Sequence, residues 1–556
     1  MSGPIYICNR PFCKAFSAAA FWIVVGAHAA LPARMYWTSP EGGDTRWSNE
    51  ANWSATRVPR PGDTVVLGVK GKSLAPCDLD ADASVADIFF RTAYAQRFDF
   101  GSHVLSVTGD TCDLRSGGEI GDGNGRGGIL FEPAGILAFF PGSQAVLPNI
   151  TVRCMPGGAV VCRESGFRAD TLSFQAGTFR CGSNLAHQAG VVQSSGGGLS
   201  LDSSALAVSG AMVNFAGLAS LLSANGTLVF RGAAPQRIVF PPDSVRIHCL
   251  IQDGGGGTVI SKIPGTVLYA DTTAIRSGIM MLDDSASLTL GAFQSVHGGL
   301  VIPASARFTL RGNADFSGLD SLAAAGPVVC AGLQSWVTLT PKIGAQVSRL
   351  EVTSGRLQLA GNGLWADSVR CAAACTLSLG TRLVHVVRAF SLEQGAVVNF
   401  ESSVLRFAGA RLDLSGCGGI LPGTGCIEFN GASPQVFAPA AGKMCPSVFQ
   451  NGPGGTTLSG CDLLAGSLAI GAGTFNLNGY SASVDTLRGS PAGDNDSLKI
   501  GSSPPSVINA RGSVFLDQMA VSGDIRLQLS GAKQDLRVPG NCHIVKLTQS
   551  GSSRAA

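Results

Sequence analysis

Charge is scarce in this sequence: Asp, Glu, Lys and Arg make up 14% of its 556 residues, and aromatic residues only 7%. Glu, Lys and Gln are too few for a helical protein, while a hydrophobic fraction of 45%, carried mostly by Ala, Val, Leu and Ile, is too high for a disordered one. Lys and Arg total 40 against 37 Asp and Glu, a net charge of +3 with no basic block, so nothing in the chain asks for a nucleic acid. Beyond the N-terminal leader no stretch approaches 18 uninterrupted apolar residues, which argues against a membrane-spanning helix in the mature chain. Also missing are a Gly-x-Ser-x-Gly elbow, a His-Glu-x-x-His pair, a phosphate-cradling loop and Cys/His pairs at zinc-finger spacing. These gaps leave no catalytic, cofactor-binding or metal residue to assign.

What is plentiful is glycine, at 74 residues, in a chain too long for one compact core. A short apolar strand opened by glycine recurs as Gly127-Gly-Ile-Leu-Phe131, Gly226-Thr-Leu-Val-Phe230, Gly326-Pro-Val-Val-Cys330, Gly425-Cys-Ile-Glu-Phe429 and Gly523-Asp-Ile-Arg-Leu527, at steps of 99, 100, 99 and 98 residues. Pro141, Pro241, Pro341, Pro439 and Pro539 move in register with it. Between these landmarks stand Gln236, Gln334, Gln435 and Gln534, with Ile136 in the first copy; the closest pair is Phe230-Arg-Gly-Ala-Ala-Pro-Gln236 and Phe429-Asn-Gly-Ala-Ser-Pro-Gln435. Inside each unit, strands such as Ser467–Ile470, Thr474–Leu477 and Ser513–Leu516 alternate apolar with small or polar residues, the period of a strand with one buried face. Turn signals such as Asn478-Gly479 separate them.

A period near one hundred residues also fits stacked immunoglobulin-like sandwiches. The units share no Cys…Trp…Cys pattern and no linkers, and each divides into four or five segments of about 20 to 25 residues, near the length of one solenoid coil. The expected fold is therefore all-β, a right-handed parallel β-helix (β-solenoid) with an N-terminal cap. The expected divisions are a signal peptide at 1–29, a cap with the first coils at 30–126, and a solenoid at 127–556 with units 127–225, 226–325, 326–424, 425–522 and a partial 523–556.

Export is expected because Arg10 and Lys14 precede an apolar region at 15–30, and Ala27-His28-Ala29 offers a small-x-small cleavage site. Cys8 and Cys13 fall in that leader, leaving fourteen cysteines that either form disulfides or stack as buried thiols; Cys371/Cys375, Cys154/Cys162 and Cys417/Cys426 are the nearest neighbours. Sequons at Asn52, Asn149, Asn225 and Asn495 occur at chance level.

Residues 36–67 carry Tyr36-Trp37, Trp47-Ser48, Asn52-Trp53-Ser54, Val58-Pro59 and Pro61-Gly62-Asp63-Thr64-Val65-Val66-Leu67, and three tryptophans so close together suit a cover for an open apolar column. This opening, with units like Gly466-Ser-Leu-Ala-Ile-Gly-Ala-Gly-Thr-Phe-Asn-Leu-Asn-Gly479, resembles bacterial exported proteins of the autotransporter-passenger or adhesin type over most of residues 36–549. The resemblance implies a secreted or cell-surface rod and no catalytic residue. Two departures stand out: no terminal membrane barrel is evident, and the fifth unit stops 33 residues after Gly523, as in a truncated product or a rod completed by a partner.

Parallel β-helices also carry lyases and glycosidases, which need converging carboxylates. Asp283-Asp284 reads as a turn, because neighbours on a strand face opposite ways. Asp78, Asp80 and Asp82 alternate along the chain and would share a face, with weak Ca²⁺ character; Asp494 and Asp496 read as an exposed loop. His103, His187, His248, His297, His385 and His543 each stand alone in a coil. The sequence thus points to a structural or adhesive solenoid, neither catalytic nor cofactor-bound, whose expected partners are a cell-surface, extracellular-matrix or carbohydrate ligand and further copies of itself, end to end or side by side. A carbohydrate-active enzyme and a trimeric fibre subunit are the rivals, the first marked by clustered Asp, Lys and Arg in a groove, the second by an apolar outer stripe.

Overall fold

A strand at one coil finds its ladder partner one turn later in sequence, so parallel pairing follows from coiling alone. The computed structural model describes residues 32–550, apart from 72–74, 93, 122–126, 143–145, 262–265, 490–496, 501–504, 518, 532–533, 539–541 and 543. The expected signal peptide, Asp494, Asp496, Asn495, Pro539 and His543 therefore lie outside the described residues, as does the Gln334 side chain.

The described chain is a β-solenoid of about 20 turns with no α-helix. Every paired strand is parallel to its neighbours, the single antiparallel contact being the isolated Trp37–Trp53 bridge. This rules out stacked sandwiches, whose sheets are antiparallel.

Each turn contributes to three ladders. Chain order runs from a first ladder, begun by Arg34–Tyr36, Thr64–Leu67 and Asp87–Phe90, through a second, with Cys77–Asp78, Phe98–Asp99 and Ile120–Gly121, to a third, with Ala83–Val85, Val104–Val107 and Gly128–Phe131. Some strands, such as Ser321–Thr340, run around corners and serve more than one ladder. Inward residues stack into one apolar column: Leu105, Ile129, Ile150, Leu172, Val192, Val213, Ile238 and Ile260 follow one another on the third ladder, none above 1% exposed. Ladder hydrogen bonds and this column are what a single coil cannot supply for itself.

The unit of sequence and the turn of structure are out of phase. On the third ladder fourteen rungs separate Phe131 from Phe429, 298 residues at about 21 per turn. A unit of about 99 residues is then four and two-thirds turns, and each landmark strand falls one ladder back from its predecessor. Gly128–Phe131 lies on the third ladder, Thr227–Phe230 on the second, Val328–Cys330 on the first, Cys426–Phe429 again on the third and Ile525–Leu529 again on the second.

The buried polar contacts follow the repeat rather than the ladder. Gln236 accepts from the Gly232 N–H at 2.8 Å and donates to the carbonyls of Val208 and Gly210; Gln435 does the same with Gly431, Phe407 and Gly409. Each glutamine closes a corner whose backbone groups would otherwise be buried unpaired. Corners are tight: a Cβ on Gly409 would lie 1.6 Å from the Arg388 carbonyl oxygen, so only glycine fits there.

At the first rungs Trp37, Trp47 and Trp53 are all buried and pack edge to face, with centroids 5.1 Å apart for Trp37–Trp53 and 4.6 Å for Trp47–Trp53. Trp53 donates its indole N–H to the Trp47 carbonyl at 2.8 Å, and Trp47 meets Phe98 of the second ladder. The tryptophans thus belong to the column itself at its N-terminal rungs.

Candidate functional site

Outward side chains on successive rungs stand about 4.8 Å apart, so residues one turn apart in sequence become surface neighbours. Ion pairs accordingly join Glu132 with Arg153, Arg180 with Asp202, Arg231 with Asp253, Asp367 with Arg388 and Arg406 with Glu428. Three exposed or half-buried histidines have carboxylates on adjoining rungs: His103 with Asp82 at 3.5 Å, His248 with Asp271 at 3.3 Å and His297 with Asp320 at 3.6 Å. Residue-by-residue inspection misses these pairs, which only a search at the turn length would reveal.

Asp78, Asp80 and Asp82 do not form a shared site, because the strand ends at Asp78 and the chain turns there. Asp78 pairs with Arg97, Asp80 accepts from the Ser48 N–H at 2.9 Å, and Asp82 accepts from the Val104 N–H at 2.9 Å. Asp283 and Asp284 diverge as expected of a turn, Asp283 toward Ser261 and Arg237 and Asp284 toward Ser305. Among the described residues no group of three or more His, Cys, Asp or Glu is placed to hold a metal ion. The fourteen cysteines from Cys77 to Cys542 are all free, ten of them buried. Some are neighbours, Cys371 facing Cys375, and burial raises their thiols, Cys445 to about 12 and Cys154 to about 11. Of the sequons, Asn52 is buried and Asn149 donates to the Gly127 carbonyl, whereas Asn225 is exposed.

Two surface grooves stand out. The first, about 600 Å³, is lined by Phe140, Arg163, Glu164, Arg180, Ser183 and Asp202 among others. Its carboxylates are already engaged. Arg115 lies over the Phe140 ring, 4.4 Å from its centroid, bonds Asp113 at 2.8 Å and reaches Glu164; Arg180 meets Asp202, which also accepts from Ser200 and the Gly182 N–H. Desolvation pushes the Asp113 carboxyl up, but the Arg115 hydrogen bonds outweigh it and hold it below its ordinary value. A glycosidase acid needs the opposite, a carboxyl held protonated.

The second groove, about 560 Å³, crosses three rungs of the second ladder and is lined by Ala292, Phe293, Gln294, Ser295, Val296, Asn313, Ala314, Asp315, Thr338 and Thr340. Asp315 is its only charge. It forms where the middle strand, Ala314–Asp315, is two residues long and Asn313 turns its side-chain oxygen to the Thr338 N–H at 2.9 Å. A further surface feature is the outward row Val259, Met281, Val301 and Ala323 on the third ladder, which carries no charge and continues through Gln346, Trp365 and Val386.

No protein-family model, curated protein or solved structure matches the chain.

Proposed function

We propose that this chain is an exported, non-catalytic surface rod that works by presenting its long faces to a ligand. The observation that carries this is that the carboxylates of the charged groove are paired: Glu164 and, just outside the lining, Asp113 share Arg115, and Asp202 holds Arg180 from the preceding rung. Such pairing orders a surface and leaves no free acid and base to act together. Export rests on the leader composition at 1–29, and adhesion on the extended stack and on the sequence resemblance.

Incubation of the purified chain with polygalacturonate, alginate, galactomannan and hydroxyethyl cellulose tests the non-catalytic part. No reducing ends or unsaturated products above buffer are expected. Product release that Asp113→Asn or Glu164→Gln abolishes would overturn the proposal and make the charged groove an active site.

A further inference from the structure

Many outward charges of this rod are spent on a neighbour one rung away. The groove on the second ladder is different. Its walls are two outward rows, Ala292–Asn313–Thr338 and Gln294–Asp315–Thr340, over a floor of Phe293 and Ala314. That floor is rigid, because Phe293 packs edge to face on Phe316 at 4.9 Å and on Phe308 at 6.0 Å.

The hydrogen-bonding groups on the rows are largely uncommitted. The side chains of Gln294, Thr338 and Thr340 have no partner among the described residues, whereas Asp315 receives the Ser317 N–H and hydroxyl on one oxygen only. On the same strand as Thr338 and Thr340, one outward position before Thr338 and just outside the groove's lining, is Trp336, 42% exposed and followed by inward Val337. An indole so exposed leaves a large apolar area in water, and Arg356 from the next rung, 5.8 Å from its centroid, helps fix its orientation.

We propose that this groove, with Trp336 as its platform, binds a neutral oligosaccharide chain. A pyranose ring has an apolar face of C–H groups and an edge of hydroxyls that both donate and accept. Trp336 supplies the flat apolar partner, and Gln294, Asn313, Asp315, Thr338 and Thr340 supply amide, carboxylate and hydroxyl groups at rung spacing, close to the length of one sugar ring. Asp315 in the lining and Arg356 over the Trp336 ring balance each other, so the site offers no net positive charge to draw uronate or sulfate chains or nucleic acids. The groove volume lies within the usual range of ligand sites, roughly 300–1,000 Å³. This ligand class rests on the adhesive reading above and gives it a specific place on the rod.

Affinity electrophoresis in gels containing hydroxyethyl cellulose, galactomannan, dextran or polygalacturonate tests it with the full described chain. At least one neutral polymer is expected to retard the protein, with the apparent affinity at least tenfold weaker in Trp336→Ala and severalfold weaker in Thr340→Val and Gln294→Ala. Trp365→Ala, which changes an equally exposed indole on the third ladder, should bind as the unaltered chain does. Absence of retardation by every neutral polymer, retardation by polygalacturonate alone, or unchanged binding in all three groove variants would overturn the assignment. Because Thr340→Val and Gln294→Ala are surface changes, they keep the test decisive if Trp336→Ala does not fold. Release of sugar from a retarding polymer would instead refute the non-catalytic proposal while leaving the binding site standing.

Discussion

Acidification from pH 6.5 to pH 4 is expected to cost this fold about 3 kcal/mol for each of two histidines, His187 and His385. Both are fully buried, and both hold the same pair of backbone contacts. His187 Nδ1 accepts the Phe167 N–H at 3.3 Å while Nε2 donates to the Cys181 carbonyl at 2.8 Å; His385 Nδ1 accepts the Leu364 N–H at 3.0 Å while Nε2 donates to the Leu379 carbonyl at 2.7 Å. An Nδ1 that faces an N–H has to be unprotonated, which fixes the neutral tautomer. Desolvation lowers both imidazoles from 6.5 to about 4, and the carbonyl hydrogen bond only partly opposes it. The unfolded chain therefore holds more protons between those values. Stability is complete above about pH 6.5, falls as pH drops toward 4, and changes no further from these groups below that. Carboxylates such as Asp63, lowered to about 2 by Arg57, act in a more acidic window. Urea unfolding at pH 7, 5.5 and 4.5 measures the effect. His187→Gln with His385→Gln should flatten the slope while lowering stability at pH 7, and an unchanged slope in that double variant would show that other groups govern it.

Replacing Trp53 by alanine is expected to destabilise the N-terminal turns by about 3–5 kcal/mol. The change removes two edge-to-face contacts and the hydrogen bond that satisfies the Trp47 carbonyl. In a stack whose turns touch only their neighbours, the loss should stay local. Hydrogen exchange is expected to rise through about the first three turns and to stay unchanged beyond residue 200. Trp365→Ala, at 47% exposure, should change stability by no more than about 0.5 kcal/mol. Equal effects from the two variants, or exchange that rises along the whole chain, would contradict the role given to the tryptophan cluster.

Much of this architecture is legible in the residues. The glycine-opened strands near 99-residue spacing and the period-two alternation lead directly to a solenoid, and each such strand takes its place in a ladder. What those landmarks do not reveal is the ladder on which each one falls. A unit of four and two-thirds turns turns Gln236 and Gln435 onto different faces although their local sequences and hydrogen bonds agree. Only pairing registers disclose that phase, because the side-chain alternation distinguishes inside from outside and not one face from another.

The surface chemistry was harder to foresee. Asp78, Asp80 and Asp82 alternate as a strand would, but a corner intervenes after Asp78. His103, His248 and His297 look solitary, yet each has its carboxylate one turn away. The groove on the second ladder depends on a two-residue strand at Ala314–Asp315 and on the bent Asn313 side chain, neither of which leaves a motif. Trp336 was available as an exposed aromatic only once Val337 and Leu339 were known to face inward.

Small-angle X-ray scattering from the purified chain tests the continuous stack most directly. About 20 turns at roughly 4.8 Å each predict a stiff rod on the order of 100 Å long, with the scattering of a single rigid cross-section. A flexible string of separate compact bodies, or a near-spherical particle, would contradict the account.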